Sequence, residues 1–274
     1  MKELDLTQGS VPKVLLHFAV PFLLANVLQA LYGGADLFVV GQYDDAASVA
    51  AVAIGSQVMQ TVTGVILGLT TGITVLIGIA TGAKDDRKTA SIVGTGIWLF
   101  AVVAAVLTAL MVALYGQIAV WMHTPAEAMR DTEAYLGICS MGIPFIIGYN
   151  VVCGILRGLG DSRTPLYFVA LACVLNIVLD FILVGACGMR AAGAAAATVT
   201  AQGVSFATAL GFLYRKGFHF EFTRRDIRPV RALCRRMVLL GAPIALQDLL
   251  VNLSFLLITV IVNGMGVVAS AALG

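Results

Sequence analysis

Two aspartates, Asp36 and Asp180, lie inside hydrophobic stretches that are long enough to cross a membrane. A carboxylate in hydrocarbon is costly, so an acidic residue at such a position is by default a candidate for a functional site. The alternative is a structural role, in which a protonated or paired aspartate holds two helices together. The polar residues that accompany the two aspartates favour a functional role.

Asp36 ends a row of polar and small residues on one hydrophobic stretch. The row has the spacing i, i+3, i+7 and i+10 and comprises Asn26, Gln29, Gly33 and Asp36. This spacing predicts one face of a helix whose other surface is Leu, Val, Ala and Phe. Asn176 and Asp180 are four residues apart on a second stretch, so they also share a helix face. A third stretch carries a polar line of Thr198, Gln202 and Ser205.

Asp36, Asp180 and Thr198 are predicted to lie at similar depths. Each is five to seven residues from the end of its stretch on the same side of the membrane. At 1.5 Å per residue, that is roughly 7–11 Å below the membrane surface. Two carboxylates, an amide oxygen and a hydroxyl form an oxygen set suited to Na⁺, and the two carboxylates alone suit a proton relay. The residues leave both alternatives open.

Other polar residues on the hydrophobic stretches are candidates to line a substrate cavity. They are Asn26, Gln29, Gln57, Gln60, Gln202, Gln247, Asp248 and Asn252. For Asp248, a contact between helices is an equally good interpretation. The stretch that carries Gln57 and Gln60 is also rich in Gly and Thr, which favours close helix packing.

The composition requires a membrane protein. The 274 residues are 59% hydrophobic and 12% charged, whereas a soluble domain has about 25% charged residues. The mean hydropathy is +0.96. Because a span needs about 20 apolar residues, we predict an all-α polytopic fold. The seven predicted spans are 14–41, 50–80, 91–115, 134–156, 165–187, 191–214 and 237–264. Residues 124–127 resemble a capping box that opens a short helix, and Ser162 is predicted to cap span five.

The basic residues predict the orientation. Of the 17 Lys and Arg, all but Arg130 and Arg190 fall on one side of the predicted spans. The positive-inside rule therefore places the N-terminus in the cytoplasm. Residues 215–236 become a basic cytoplasmic connection. Topology accounts for their charge, so we expect no nucleic-acid partner.

The start of span seven repeats the start of span one. Residues 240–246, around Pro243, align with residues 18–24, around Pro21, and Asp248 falls at the position of Asn26. Six spans separate the two starts, so both copies enter the membrane from the same side, as in parallel repeats. We expect residues 1–214 to form a first lobe and residues 237–274 to begin a second. The chain is then expected to be a fragment of a protein with about twelve helices. The remaining half of that protein is the expected partner of this chain.

Several segments resemble the multidrug and toxic compound extrusion (MATE) transporters. The stretch 154–165, GILRGLGDSRTP, resembles the family's signature after helix four. The segments 35–41, 175–180 and 193–198 also match the family. The resemblance implies twelve helices in two pseudo-symmetric six-helix lobes. It also implies export of organic cations or amphipathic drugs across the plasma membrane, coupled to entry of Na⁺ or H⁺ and without a cofactor.

The resemblance also implies a cation site in the first lobe. The family's site residues correspond here to Asp36, Asn176, Asp180, Ala194 through its carbonyl, and Thr198. Some members have a Glu in helix seven for a site in the second lobe, and around Asn252 this chain has none. We therefore expect coupling in the first lobe.

Three other functions fit the sequence less well. A flippase for lipid-linked precursors should have a cavity lined by Arg or Lys to hold pyrophosphate, and the span interiors contain acids instead. A seven-helix receptor fits the number of spans but requires the opposite orientation. An enzyme is not expected, because no nucleophile–base pair or metal motif is recognisable.

Overall fold

The computed structural model describes residues 11–273, and every regular element in that range is helical. The long helices are α1 (Val11–Tyr43), α2 (Ala46–Gly82), α3 (Asp86–Trp121), α4 (Met129–Gly158), α5 (Arg163–Asp180), α6 (Arg190–Lys216) and α7 (Arg231–Asn263). A π-helical turn (Phe181–Ala186) continues α5, a 3₁₀ turn (Arg224–Asp226) precedes α7, and a short α8 (Val267–Leu273) follows it. Lys2, which is one of the basic residues used for orientation, and Gly274 lie outside the described residues.

Seven of the described helices are long and apolar enough to cross a membrane, and they coincide with the seven predicted spans. The all-α polytopic prediction is therefore confirmed. Both ends of most helices extend several residues beyond the predicted bounds. The predicted connection 215–236 is shorter as a linker, because α6 continues to Lys216 and α7 already begins at Arg231. The hydropathy pattern misses these turns, since they are helical but charged.

Short polar side chains begin several helices, although not always where the sequence predicted. Asp45 accepts the backbone N–H of Ser48 at 2.9 Å at the start of α2. The capping interpretation of residues 124–127 is wrong, because the Thr124 hydroxyl donates backward to the Ala119 carbonyl at 2.8 Å and no separate helix forms there. Ser162 does not cap α5 either. The neighbouring Asp161 does so instead, accepting the Thr164 backbone N–H at 2.9 Å.

Helix α4 lies at the centre of the bundle. It packs against α2, α3 and α6, while α5 packs against α1 and α6. Glycines allow the closest approach between α2 and α7. A Cβ at Gly72 would meet the carbonyl oxygen of Met237, and one at Gly68 would meet the backbone of Ala245. The predicted close packing of the Gly-rich second span is therefore observed.

Helix α5 changes its winding directly after Asp180. The π-helical turn that follows packs against both α1 and α6. Turns of this kind are rare and occur frequently at functional sites. Here the turn lies where the helices that carry Asp36, Asp180 and Thr198 meet.

Candidate cation and substrate site

Helices α1, α5 and α6 bring four polar side chains together inside the bundle. Asp36 is 3% exposed, Asn176 is 1%, Asp180 is 0% and Thr198 is 8%. The i, i+4 spacing of Asn176 and Asp180 turns both toward α1 and α6. The structure therefore unites the faces that the sequence analysis derived separately.

Thr198 connects two of the helices to its own through hydrogen bonds. Its hydroxyl donates to Asp36 Oδ2 at 3.2 Å and accepts from Asn176 Nδ2 at 3.3 Å. The Asp180 carboxyl group neighbours that of Asp36. The residues that were predicted to lie at similar depths are thus in direct side-chain contact across α1, α5 and α6.

The oxygens of this group are largely without hydrogen-bond partners. Among the buried atoms of the described side chains, Asp36 Oδ1, Asn176 Oδ1 and both Asp180 oxygens accept no hydrogen bond. Buried polar atoms are normally paired, so four orphan oxygens in one place require an explanation. Ala194, the fifth residue of the predicted site, is fully buried on α6 one turn before Thr198. We call Asp36, Asn176, Asp180 and Thr198 the aspartate site.

A small cavity of about 120 Å³, which we call the site cavity, opens beside Asp36 and Thr198. Three of the predicted cavity residues, Gln29, Gln60 and Gln202, also line it. Sequence reasoning missed other lining residues, among them Tyr32, Ser56, Tyr135 and Asn150. Tyr32 precedes Asp36 by one turn and could have been found from that spacing. Tyr135 and Ser56, whose hydroxyls are 3.0 Å apart, come from α4 and α2 and show no such pattern.

A second cavity of about 280 Å³, the Arg157 cavity, lies toward the other end of α1. It is lined by Asn26 and Gln29 from the predicted set, and by Arg157 at the end of α4. The guanidinium carbon of Arg157 is 5.4 Å from the centre of the Phe22 ring. The expectation that no basic group lies in the span interiors is therefore wrong. Predicted span four ended at residue 156, but Arg157 belongs to the last turn of α4, and its side chain lines this cavity.

The remaining cavity candidates lie elsewhere. Gln57 is half-buried on α2 and is not among the residues lining the two cavities. Gln247 is exposed on α7. Asp248 and Asn252 face α2 instead, where a Cβ at Gly64 would lie 3.2 Å from Asn252 Nδ2 and 3.5 Å from Asp248 Cβ. In the described residues, Asp248 therefore makes the helix contact that was its alternative interpretation.

A second group of aspartates lies two turns beyond Asp36, at the end of α1. Arg190, at the start of α6, approaches Asp44 at 3.4 Å, Asp45 at 3.0 Å and Asp131 at 3.5 Å. Asp131 Oδ2 also accepts the Ser48 hydroxyl at 3.1 Å. The Ser48 backbone hydrogen bond, together with Arg190, lowers the pKa of Asp45. We call these residues the arginine cluster, and its members are linked mainly to one another.

Comparison with known proteins adds three findings. The MatE family model matches residues 21–182, which is more than half of the chain. The probable multidrug resistance protein YpnP of Bacillus subtilis (strain 168) is 33% identical over 97% of this chain and 59% of its own length. YoeA of the same organism, also a probable multidrug resistance protein, is 30% identical over 98% and 59%.

A solved structure has the same fold. It is an outward-facing multidrug resistance MATE family transporter of the MOP superfamily, with a TM-score of 0.84 and 26% identity. The match covers 91% of this chain and 55% of the transporter. The chain thus spans somewhat more than half the length of the relatives that it matches.

Proposed function

This chain belongs to the MatE family, and we propose that it forms the first lobe, and the beginning of the second, of a cation-coupled exporter of small amphipathic compounds. The names of the relatives support multidrug export. Coupling to Na⁺ or H⁺ rests on one observation, the four buried oxygens of the aspartate site that lack partners. We propose that residues 1–214 are the first lobe, that 215–236 connect the lobes, and that a second lobe downstream of the chain completes the transporter.

The coupling step follows from the charges of the aspartate site. Two adjacent carboxylates in a buried site repel one another when both are ionised, so the pair favours binding of a cation or a proton. Na⁺ would use Asp36, Asn176, Asp180 and Thr198 as oxygen ligands, with the Ala194 carbonyl as a fifth. A proton would need only the two carboxylates.

Asp36 gives this site a route to the substrate, because it also lines the site cavity. A substrate ammonium in that cavity and a coupling cation at the aspartate site would compete for the same carboxylate. Such mutual exclusion is the differential binding that antiport needs. The site cavity, at about 120 Å³, is smaller than the 300 Å³ or more of typical ligand pockets. We therefore propose that the second lobe contributes the rest of the substrate cavity.

The Arg157 cavity supports a second candidate, a flippase for lipid-linked precursors. Arg157 lies inside the bundle where an anionic headgroup could reach it. However, in the described part of the chain the two cavities and the aspartate site contain one arginine and two buried aspartates, whereas pyrophosphate recognition calls for several basic groups. The balance of charge in the described residues favours a cationic or zwitterionic substrate.

The proposed orientation has the N-terminus in the cytoplasm of a plasma membrane, as the basic residues indicate. A reporter fused after Lys216 should then read cytoplasmic, and one inserted at Ala126 should read extracytoplasmic. The opposite result would refute the proposed orientation.

Transport in proteoliposomes tests the proposed function. The full-length protein would be reconstituted, loaded with a fluorescent organic cation, and exposed to a Na⁺ gradient at constant pH or a pH gradient at constant Na⁺. One of the two gradients should drive export of the dye, and the effective one identifies the coupling ion. Export that ignores both gradients would refute the coupling.

A further inference from the structure

A large apolar cleft is lined by residues of α3, α4 and α6. Helices α3 and α6 each pack against α4, but within the described residues they do not pack against each other. The space between them is a cavity of about 900 Å³. Its walls are almost entirely apolar, and they include Phe100, Ala101 and Ala104 of α3, Ile147 and Val151 of α4, and Phe206 and Leu210 of α6. We call it the α3–α4–α6 cleft.

The beginning of the second lobe does not close this cleft. Helices α7 and α8 pack against α2, and α7 also touches α3. Neither helix contributes a residue to the lining. Ala101 on the cleft wall is exposed. Within the described residues, the opening between α3 and α6 is thus uncovered, and we infer that it faces lipid in the membrane.

Three phenylalanines close the basic end of the cleft. Phe218, Phe220 and Phe222 occur at every second residue of the segment that follows α6, and all three line the cavity. Their rings also contact one another, with the centre of Phe218 at 5.0 Å from Phe220 and 5.2 Å from Phe222. A spacing of two is the pattern that puts side chains on one face of an extended segment. From the sequence, this segment was predicted only as part of a basic connection.

Basic residues flank the phenylalanines on both sides. Arg215 and Lys216 precede them, Arg224 and Arg225 follow them, and all four are exposed. The 3₁₀ turn of Arg224 and Arg225 packs against α3 about two turns after its start, where a Cβ at Gly94 would meet the carbonyl oxygen of Asp226. Ile97 of the cleft lining is one turn further along α3. The positive charges therefore lie at the mouth of the cleft.

The length of the cleft matches one leaflet of a bilayer. Its wall on α4 runs from residue 144 to residue 155, which is about 17 Å at 1.5 Å per residue. A single leaflet contributes about 15 Å of hydrocarbon, half of the roughly 30 Å core. The cleft thus begins at a basic surface and ends near the bilayer centre.

We propose that the α3–α4–α6 cleft binds a phospholipid with an anionic headgroup. The acyl chain lies along α4 between α3 and α6, and the headgroup phosphate lies among Arg215, Arg224 and Arg225. Juxtamembrane basic clusters attract anionic lipids, and here the apolar cleft adds a place for the chain. The site shares no lining residue with the site cavity or the Arg157 cavity.

Native mass spectrometry of the full-length protein tests this site. The protein would be titrated with phosphatidylglycerol or with zwitterionic phosphatidylcholine of the same chains. We expect tighter retention of phosphatidylglycerol. Ala101→Phe, which fills the cleft from an exposed position, should lower retention of both lipids. Arg224→Gln with Arg225→Gln should lower retention of phosphatidylglycerol alone, by about tenfold.

Two matched variants serve as controls. Val106→Phe adds the same ring to an exposed position of α3 that is not part of the lining, and Arg235→Gln with Arg236→Gln removes two charges from α7. Neither should change retention of either lipid. Unchanged lipid retention in Ala101→Phe would show that the chain does not occupy the cleft. Equal retention of the two lipids by the wild type, or equal losses in the two double-arginine variants, would refute the headgroup site.

Discussion

The aspartate site and the arginine cluster differ in whether a basic side chain balances their carboxylate charges. Both contain carboxylates from more than one part of the bundle, and the two groups lie about two helical turns apart along α1. In the arginine cluster, Arg190 lies within 3.5 Å of each of three aspartates. In the aspartate site, Asp36 and Asp180 are more deeply buried, yet three of their four carboxylate oxygens accept no hydrogen bond from a donor among the described residues, and the two carboxyl groups adjoin one another.

This difference distinguishes carboxylates that stabilise helix packing through ion pairs from carboxylates that are available to bind a ligand. A buried charge without a partner is unfavourable, and structures keep one mainly where function needs it. In the arginine cluster, a basic side chain of the same fold pairs with aspartates that have a structural role. The absence of such a cation beside the described aspartate site therefore favours a mobile ion or a proton there.

The largest expected effect is on transport, from Asp36→Asn or Asp180→Asn in the full-length protein. Each substitution keeps the size of the side chain and removes a charge that we propose binds the coupling ion. We expect cation-driven export in proteoliposomes to fall about 100-fold or more. Thermal stability should stay the same or rise, since a buried charge without a fixed partner is removed.

Asp131→Asn is the matched control for these variants, because it makes the same change in the arginine cluster. Export by this variant should keep its dependence on the coupling ion. If Asp131→Asn and Asp180→Asn impaired export equally, the contrast between the two groups would have no functional meaning.

A smaller effect is expected from Thr198→Ala. The hydroxyl links Asp36 to Asn176 and offers one neutral ligand. We expect the cation concentration for half-maximal export to rise about tenfold, in line with the loss of one hydrogen bond to a charged group. Thr198→Ser retains the hydroxyl and should stay near the wild type. An equal shift in Ser and Ala variants would point to the methyl group and to packing.

Arg190→Gln should affect stability more than transport. It removes the common partner of three aspartates, but the guanidinium side chain is 51% exposed. Exposed ion pairs contribute about 0.2–1 kcal/mol each, so the loss should be on the order of 1 kcal/mol. A melting curve of the detergent-solubilised protein measures it. A large loss of coupling with an unchanged melting temperature would place Arg190 in the transport mechanism instead.

The smallest effect concerns pH and Asp45. Its pKa is lowered in the fold, chiefly by the hydrogen bond from Ser48. The resulting stabilisation is complete above the unfolded pKa of about 3.9 and is lost as the pH falls through the lower folded value. Asp45→Asn retains a good helix cap but lacks the charge, so it should be slightly less stable than the wild type at pH 7 and should approach it as the pH falls. Melting temperatures between pH 5 and pH 3 should fall less steeply in this variant than in the wild type.

The sequence predicted the helices and the aspartate site because both depend on local patterns. Long apolar runs determine the spans, and helical spacing places Asn176 on the same face as Asp180. A common depth then allows Asp36 and Thr198 to meet them, and the packing of α1, α5 and α6 brings them into contact. Each of these inferences uses residues within one helix and the thickness of the membrane.

The residues that were missed depend on contacts between distant helices or on exact backbone geometry. Tyr135 and Asn150 reach the site cavity only because α4 lies at the centre of the bundle. The π-helical turn after Asp180 has no sequence signal in its Phe-Ile-Leu-Val-Gly-Ala run. Arg157 lies just beyond predicted span four, on the predicted cytoplasmic side, as the positive-inside rule expects. Its long side chain nevertheless reaches inward from the last turn of α4.

The most direct test is the concentration ratio of substrate that the full-length protein sustains across a proteoliposome membrane under a fixed gradient of the coupling ion. The wild type and Arg190→Gln should both hold the substrate well above equilibrium. Asp180→Asn, inserted at the same level, should hold a ratio of one, because without the second carboxylate the cation gradient no longer drives export. A wild-type ratio in Asp180→Asn would contradict the claim that the aspartate site couples cation entry to export.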